Sequence, residues 1–190
     1  MKKIAIFASG SGSNAENIAN HFKASKEIEV ALILSNKADA YVHERARQFN
    51  IPSYTFSKKE FDEGTPIVNF LRHQQVDFIV LAGFLLKVSE ELIDAFPQRI
   101  INIHPALLPG FGGKGMYGHH VHTAVLEAGE KESGITIHYI NEYYDEGAII
   151  FQATCPVMQD DSADSLAKRV QELEYRHFPT IIEEVCKKHC

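Results

Sequence analysis

Lys3-Ile4-Ala5-Ile6-Phe7-Ala8, followed at once by Ser9-Gly10-Ser11-Gly12-Ser13-Asn14, is the stretch from which the fold unrolls. Residues 3–8 read as a first strand and 14–24 as a helix, with a Gly- and Ser-rich turn between them. Ser13 and Glu16 match the S-x-x-E capping box, which starts the helix at this turn. Glycines let a backbone approach a ligand closely, and a helix start offers free N–H groups and partial positive charge. The turn therefore suits a phosphate.

The same alternation continues along the chain. Strands are expected at 30–34, 53–56, 77–81 and 99–103, and helices at 40–49, 66–75 and 89–96. The continuous apolar run at 77–81 is that of a parallel strand buried on both faces. Residues 105–118 form a Gly- and Pro-rich loop, and a helix follows at 123–128. The β-rich runs 135–140 and 148–157 are separated by only seven residues. That is too short for a helical crossover, so they pair antiparallel. A last helix runs from 163 towards 187, bent or divided by Pro179. The expected fold class is α/β: a mostly parallel central sheet, helices on both faces and an antiparallel C-terminal part. It forms a single domain over 1–190, with a phosphate-binding half at about 1–100 and a catalytic half at about 101–190.

Composition narrows the function. The chain has 190 residues, 45% apolar and 23% charged, enough for a core without disulfides or structural metal. Nineteen basic residues against 25 acidic give a net charge of −6, which disfavours a general nucleic-acid or polybasic membrane binder. Apolar runs stop at five or six residues, against the ~20 that span a bilayer. Met1-Lys2-Lys3 is basic like a signal peptide, but 4–8 is too short for its apolar core, so a cytoplasmic location is expected. Cys155, Cys186 and Cys190 form no C-x-x-C pair and read as reduced thiols.

Three places carry chemistry. Gly10-x-Gly12-x-x-Ala15 fits the dinucleotide fingerprint, yet the second strand closes on Ser35-Asn36-Lys37 without the ribose-binding carboxylate. That disfavours NAD, leaves NADP with Lys37 open, and suits a phosphate monoester at least as well. In Ile101-Asn102-Ile103-His104-Pro105, side chains two apart share a face, so Asn102 and His104 point together from a strand's carboxyl end. An amide beside an imidazole suits an oxygen that gains charge in a transition state. Asp145, in the turn before the last strand, would raise the imidazole's pKa and fix its tautomer if the fold brings it near. His119, His120 and His122 crowd the Gly-rich loop without metal-ligand spacing, so no metal is expected and a loop covering the site is the better reading.

Gly12-Ser13-Asn14, Ser35-Asn36-Lys37-Ala38-Asp39, Leu81-Ala82-Gly83-Phe84, Asn102-Ile103-His104-Pro105-Ala106-Leu107-Leu108-Pro109 and Asp145-Glu146-Gly147 occur in this order. So arranged, the chain resembles the folate-dependent formyltransferases, and among them the phosphoribosylglycinamide formyltransferases, over essentially its whole length. The resemblance implies a Rossmann-like fold. It also implies transfer of the formyl group of 10-formyltetrahydrofolate, as co-substrate, to the amine of 5-phosphoribosylglycinamide in purine biosynthesis, without metal or nicotinamide. By position, Gly12, Ser13 and Asn14 would hold the phosphate, with Gln171 and Glu174 on one helix face towards phosphate and ribose. The backbone of Leu85, Leu86, Lys87 and Val88, with Asn102 and Asn141, would face the folate. Asn102, His104 and Asp145 match the catalytic trio: direct amine attack, an oxyanion held by Asn102 and protonated His104, and Asp145 keeping His104 charged. The partners implied are small molecules, with no nucleic acid, no membrane and at most a weak homodimer. Two departures stand out: the loop 110–122 is longer than usual, and Glu63-Gly64 follows Phe61-Asp62 where some relatives carry an arginine. Formyltetrahydrofolate hydrolase and methionyl-tRNA formyltransferase are rivals that carry further domains. An NADP oxidoreductase or a nucleotide sensor would explain the first turn but leave Asn102 and His104 idle.

Overall fold

A computed structural model describes residues 1–188, so Cys190 lies outside the described residues. Seven strands form one sheet: β1 (Lys2–Phe7), β2 (Ile28–Ser35), β3 (Ser53–Thr55), β4 (Phe78–Leu81), β5 (Ile100–His104), β6 (Glu132–Tyr139) and β7 (Ile149–Pro156). They lie in the order β3-β2-β1-β4-β5-β6-β7. The first five run parallel, whereas β6 is antiparallel to both β5 and β7. The chain steps outward from β1 to β3, then returns to β4 on the other side of β1. The crevice beyond the carboxyl ends of β1 and β4 is therefore the switch point at which open α/β sheets bind ligands.

Helices α1 (Ser13–Phe22), α2 (Val42–Gln48), α3 (Lys58–Glu63), α4 (Thr65–His73), α5 (Glu90–Ala95), α6 (His119–Glu127) and α7 (Ala163–Lys188) cover the sheet. Alternate side chains of β1 feed two apolar clusters: Ile4 and Ile6 pack with Ile18, Val170 and Phe178, while Ala5 and Phe7 pack with Phe56, Phe61 and Leu71. Each fully buried Ile or Phe stabilises the fold by about 1.5–3 kcal/mol before entropy is counted. No helix among the described residues is long and apolar enough to cross a membrane.

Four local expectations differ from the structure. Gly12 is the N-cap of α1 and no side chain caps it, so the Ser13–Glu16 capping box is absent; Glu16 pairs with Arg45 instead. A capping box does form at Ser57 and Glu60, starting α3, a short helix that sequence periodicity missed. Helix α6 begins at His119, so His119, His120 and His122 belong to a helix and not to the loop. Pro179 leaves α7 undivided. Phe178, Pro179, Ile181 and Ile182 are all buried there, and that burial outweighs the ~3 kcal/mol that an interior proline costs a helix.

Candidate active site

The first turn is pinned in one open conformation. Gly12 sits at φ +71°, and a Cβ there would lie 2.6 Å from Val42 Cβ and 2.9 Å from Val42 Cα, so only glycine fits. Val42 N–H donates to Gly10 O, and Arg45 Nε–H to Ser11 O at 2.8 Å, which pins the loop from outside. With no side-chain cap, the first amides of α1 remain available to an anion. Two residues of α7 close on this point: Gln171 Nε2 donates to Ser13 Oγ at 3.4 Å, and Asn14 Nδ2 to Glu174 Oε2 at 2.8 Å. Asn14 Oδ1 is buried with no partner, an acceptor that a ligand hydroxyl would satisfy.

Burial raises the Glu174 carboxyl to about 7, against a smaller lowering by the Asn14 amide. A carboxyl raised in the folded state is neutral there at a pH that ionises it in the unfolded chain. Its cost is absent below about 4.5 and grows as pH rises to about 7. Glu174→Gln keeps the acceptor for Asn14 and removes the titration. It should flatten the fall in stability between pH 5 and pH 8, read from urea unfolding at both. Equal slopes in variant and parent would refute the burial of this charge.

The second group lies on β5 and β6. Their register sets Asn102 opposite His138 and His104 opposite Thr136. Thr136 Oγ1 accepts from Leu108 N–H at 2.9 Å and donates to Ala106 O at 2.7 Å, so it anchors the turn that leaves β5. His138 Nδ1 lies 2.9 Å from Tyr139 O, which can only accept, so Nδ1 carries the proton. His138 Nε2 then accepts from Asn102 Nδ2 at 3.2 Å. This leaves the second amide hydrogen of Asn102 unspent. His104 Nδ1 is 3.6 Å from Asp145 Oδ2, and His138 Nε2 is 3.6 Å from Asp145 Oδ1. Sequence reasoning missed His138. Its signal was the alternation Thr136-x-His138, which acquires meaning only once the β5–β6 register is known.

Burial and the neighbouring charges act on this pair in opposite directions. Burial pushes the His104 imidazole below its ordinary pKa, and this outweighs the lift from Asp145 and from the Phe111 carbonyl. Burial also acts to raise Asp145, but the His138 ring, the Gly113 amide and the His104 ring together bring its carboxyl below the usual range. The pair therefore sets a carboxyl held towards its ionised form against an imidazole whose hold on a second proton burial weakens.

One cavity of about 840 Å³ joins both groups. Gly12, Ser13, Asn14, Gln171 and Glu174 line it, as do Asn102, His104, Asp145 and Leu85. Leu86, Lys87, Val88 and Asn141 do not. Val88 is buried in the second core cluster with Leu86 against it, Lys87 is exposed, and Asn141 Oδ1 accepts from Tyr143 N–H in a local turn. Lys37 is exposed and away from the cavity, and Asn36 Oδ1 accepts from Ser9 Oγ at 2.7 Å, a tie between strand ends and not a ribose contact. His119 and His122 also line the cavity, and burial pushes the His122 imidazole down. Among the described residues, no three His, Cys, Asp or Glu side chains are grouped to hold a metal ion.

The chain as a whole has relatives. The model of the formyl transferase family matches residues 2–182. The chain belongs to that family. Among formyl transferases, the chloroplastic phosphoribosylglycinamide formyltransferase of Arabidopsis thaliana is 44% identical over 98% of the chain, which spans 66% of that relative's length. The phosphoribosylglycinamide formyltransferase of Bacillus subtilis is 37% identical, covering 97% of this chain and 95% of its own. The crystal structure of glycinamide ribonucleotide transformylase 1 from Symbiobacterium toebii superposes with a TM-score of 0.90 at 33% identity, covering 99% of this chain and 89% of its own. The Rossmann-like fold expected of a formyl transferase, with its antiparallel C-terminal strands, is the one described above.

Proposed function

We propose that this chain is a phosphoribosylglycinamide formyltransferase. It transfers the formyl group of 10-formyltetrahydrofolate to the amine of 5-phosphoribosylglycinamide. The observation that carries this reading is the single cavity uniting an uncapped, glycine-lined helix start with Asn102, His104 and Asp145. The names of the relatives support the same activity. Residues from 1–100 supply most of the phosphate cradle, and those from 101–190 supply the reacting groups and close the cradle through Gln171 and Glu174. The phosphate meets the amides of Gly12, Ser13 and Asn14. The ribose hydroxyls satisfy Asn14 Oδ1 and Glu174. The folate enters past Leu85.

The substrate nitrogen attacks the formyl carbon, a C–N bond forms, and the carbonyl pair moves onto oxygen. Asn102 donates its unspent amide hydrogen to that oxyanion. Its negative charge adds to that of Asp145 and lets His104 take a proton from solvent; the ring becomes the second donor and returns that proton to solvent when the oxyanion collapses. Collapse breaks the bond from carbon to the folate nitrogen, which takes up the proton that the attacking amine loses, with Asp145 ordering the transfer.

Purified protein with both substrates should release deformylated folate, followed by absorbance, only when the ribonucleotide is present. Release at the same rate without it would mean hydrolysis and sink the proposal. Asp145→Asn removes the charge that lifts His104, so the apparent pKa of the acidic group in kcat/KM should move down, or activity should vanish. An unshifted profile would exclude the coupling.

A further inference from the structure

Three consecutive residues of the long loop each meet the reacting His–Asp pair. His104 Nε2 lies 2.8 Å from Phe111 O. Gly113 N–H donates to Asp145 Oδ2 at 2.9 Å. Between them, a Cβ on Gly112 would stand 3.2 Å from Asp145 Cβ and 2.6 Å from Leu108 Cδ2, tighter than side chains normally approach. Phe111 holds a left-handed backbone, φ +56°, rare for a bulky residue. Its ring packs against the first core cluster, so apolar burial stabilises that conformation. Asp145 itself sits at φ +56°. Phe111 and Asp145, both at positive φ, are thus brought together at one imidazole.

We infer that Phe111-Gly112-Gly113 is a positioning clamp that fixes the tautomer of His104 and the rotation of the Asp145 carboxylate. A carbonyl oxygen can only accept, so the proton of neutral His104 must reside on Nε2. Nδ1 then carries a lone pair facing the Asp145 carboxylate, two acceptors 3.6 Å apart. A proton reaches Nδ1 only when the ring becomes cationic, and it then points between Asp145 and the cavity. The Phe111 carbonyl thereby makes His104 a donor towards the cavity solely as imidazolium. The Gly113 amide occupies one lone pair of Asp145 Oδ2 and keeps the carboxylate from swinging out. Gly112 sits between the two bonds, where an added Cβ would crowd Asp145 Cβ and the end of the Leu108 side chain. The groups facing His104 are Asp145, His138 and His122, and none of them supplies an acceptor to Nε2.

The clamp deepens the formyl-transfer reading and rests on it for its purpose, but its decisive measurement needs no substrate. Nitrogen-15 NMR of ligand-free protein, with the His104 signals assigned by their loss in His104→Asn, reports which ring nitrogen of the neutral imidazole bears hydrogen. Protonated Nε2 with bare Nδ1 is expected; the reverse tautomer overturns the inference whatever the enzyme's activity. Gly112→Ala should then lower kcat about 10- to 100-fold, with KM for the phosphate-bearing substrate within about twofold of the parent. Its His104 signals should show a mixture of tautomers. Parental kcat together with a parental tautomer in Gly112→Ala would also overturn the inference. Should that variant fail to fold, the tautomer of the parent protein decides alone. Loss of formyl transfer in the parent, with the Nε2 tautomer intact, would instead sink the functional reading and leave the clamp standing.

Discussion

Asn102→Ala and His104→Ala are each expected to remain folded and to lose turnover by about 100-fold or more. Removing one oxyanion donor from a pre-organised site costs ~3 kcal/mol of transition-state stabilisation. Both side chains stand at the carboxyl end of β5, on the cavity wall and outside the two apolar clusters, so their loss leaves the core intact. Asn102→Ala deletes the amide hydrogen proposed to meet the oxyanion and the partner of His138 Nε2. His104→Ala removes a side chain only 3% exposed and orphans the Phe111 carbonyl, so a modest fall in thermal midpoint should accompany the kinetic loss. Because the proposed donors act on charge that exists only in the transition state, kcat should fall while KM for either substrate barely moves. Steady-state kinetics beside a melting curve checks this. Near-parental kcat in both variants would remove these residues from the chemistry.

Gly12→Ala should fail for a different reason, and in both stability and binding. At φ +71° any L-residue bears about 1–2 kcal/mol of steric cost. The added methyl would also press on the Val42 side chain and on its backbone, an overpacking of about 1–3 kcal/mol. Relief can come only from shifting the start of α1 away from α2, which displaces the amides that would face the phosphate. The expected outcome is a destabilisation of about 2–4 kcal/mol by urea unfolding and a KM for the ribonucleotide at least about tenfold higher. Val42→Ala in the same chain should restore only part of the stability. It removes the nearest clashing methyl, but the backbone of residue 42 and its first side-chain carbon still stand in the way. Unchanged stability in Gly12→Ala would show that the turn has slack.

Much of the architecture was legible because it is local. Short apolar runs alternating with helical periodicity placed the five parallel strands, and the seven-residue gap before the last strand placed the antiparallel pair. Period-two alternation correctly set Asn102 and His104 on one face of β5. What misled the reading was also local in origin. Ser13 had the chemistry of a cap, but Gly12 took that place because its left-handed backbone begins the helix one residue earlier. The true capping box, Ser57 and Glu60, opened a helix of only six residues, too short to show a periodic stripe.

The order of residues along the chain was enough for the strand–turn–helix cradle, the shared face of Asn102 and His104, and the α/β class. Each of these depends on neighbours a few positions apart. Folding in three dimensions was needed to bring His138 behind Asn102, to carry Asp145 to His104, and to close Phe111 and Gly113 on the pair. Those contacts join segments that follow one another at intervals of seven to more than 30 positions. Their meeting is set by sheet register and by how the loop packs, which is a balance over the whole core and is written in no single stretch of the chain.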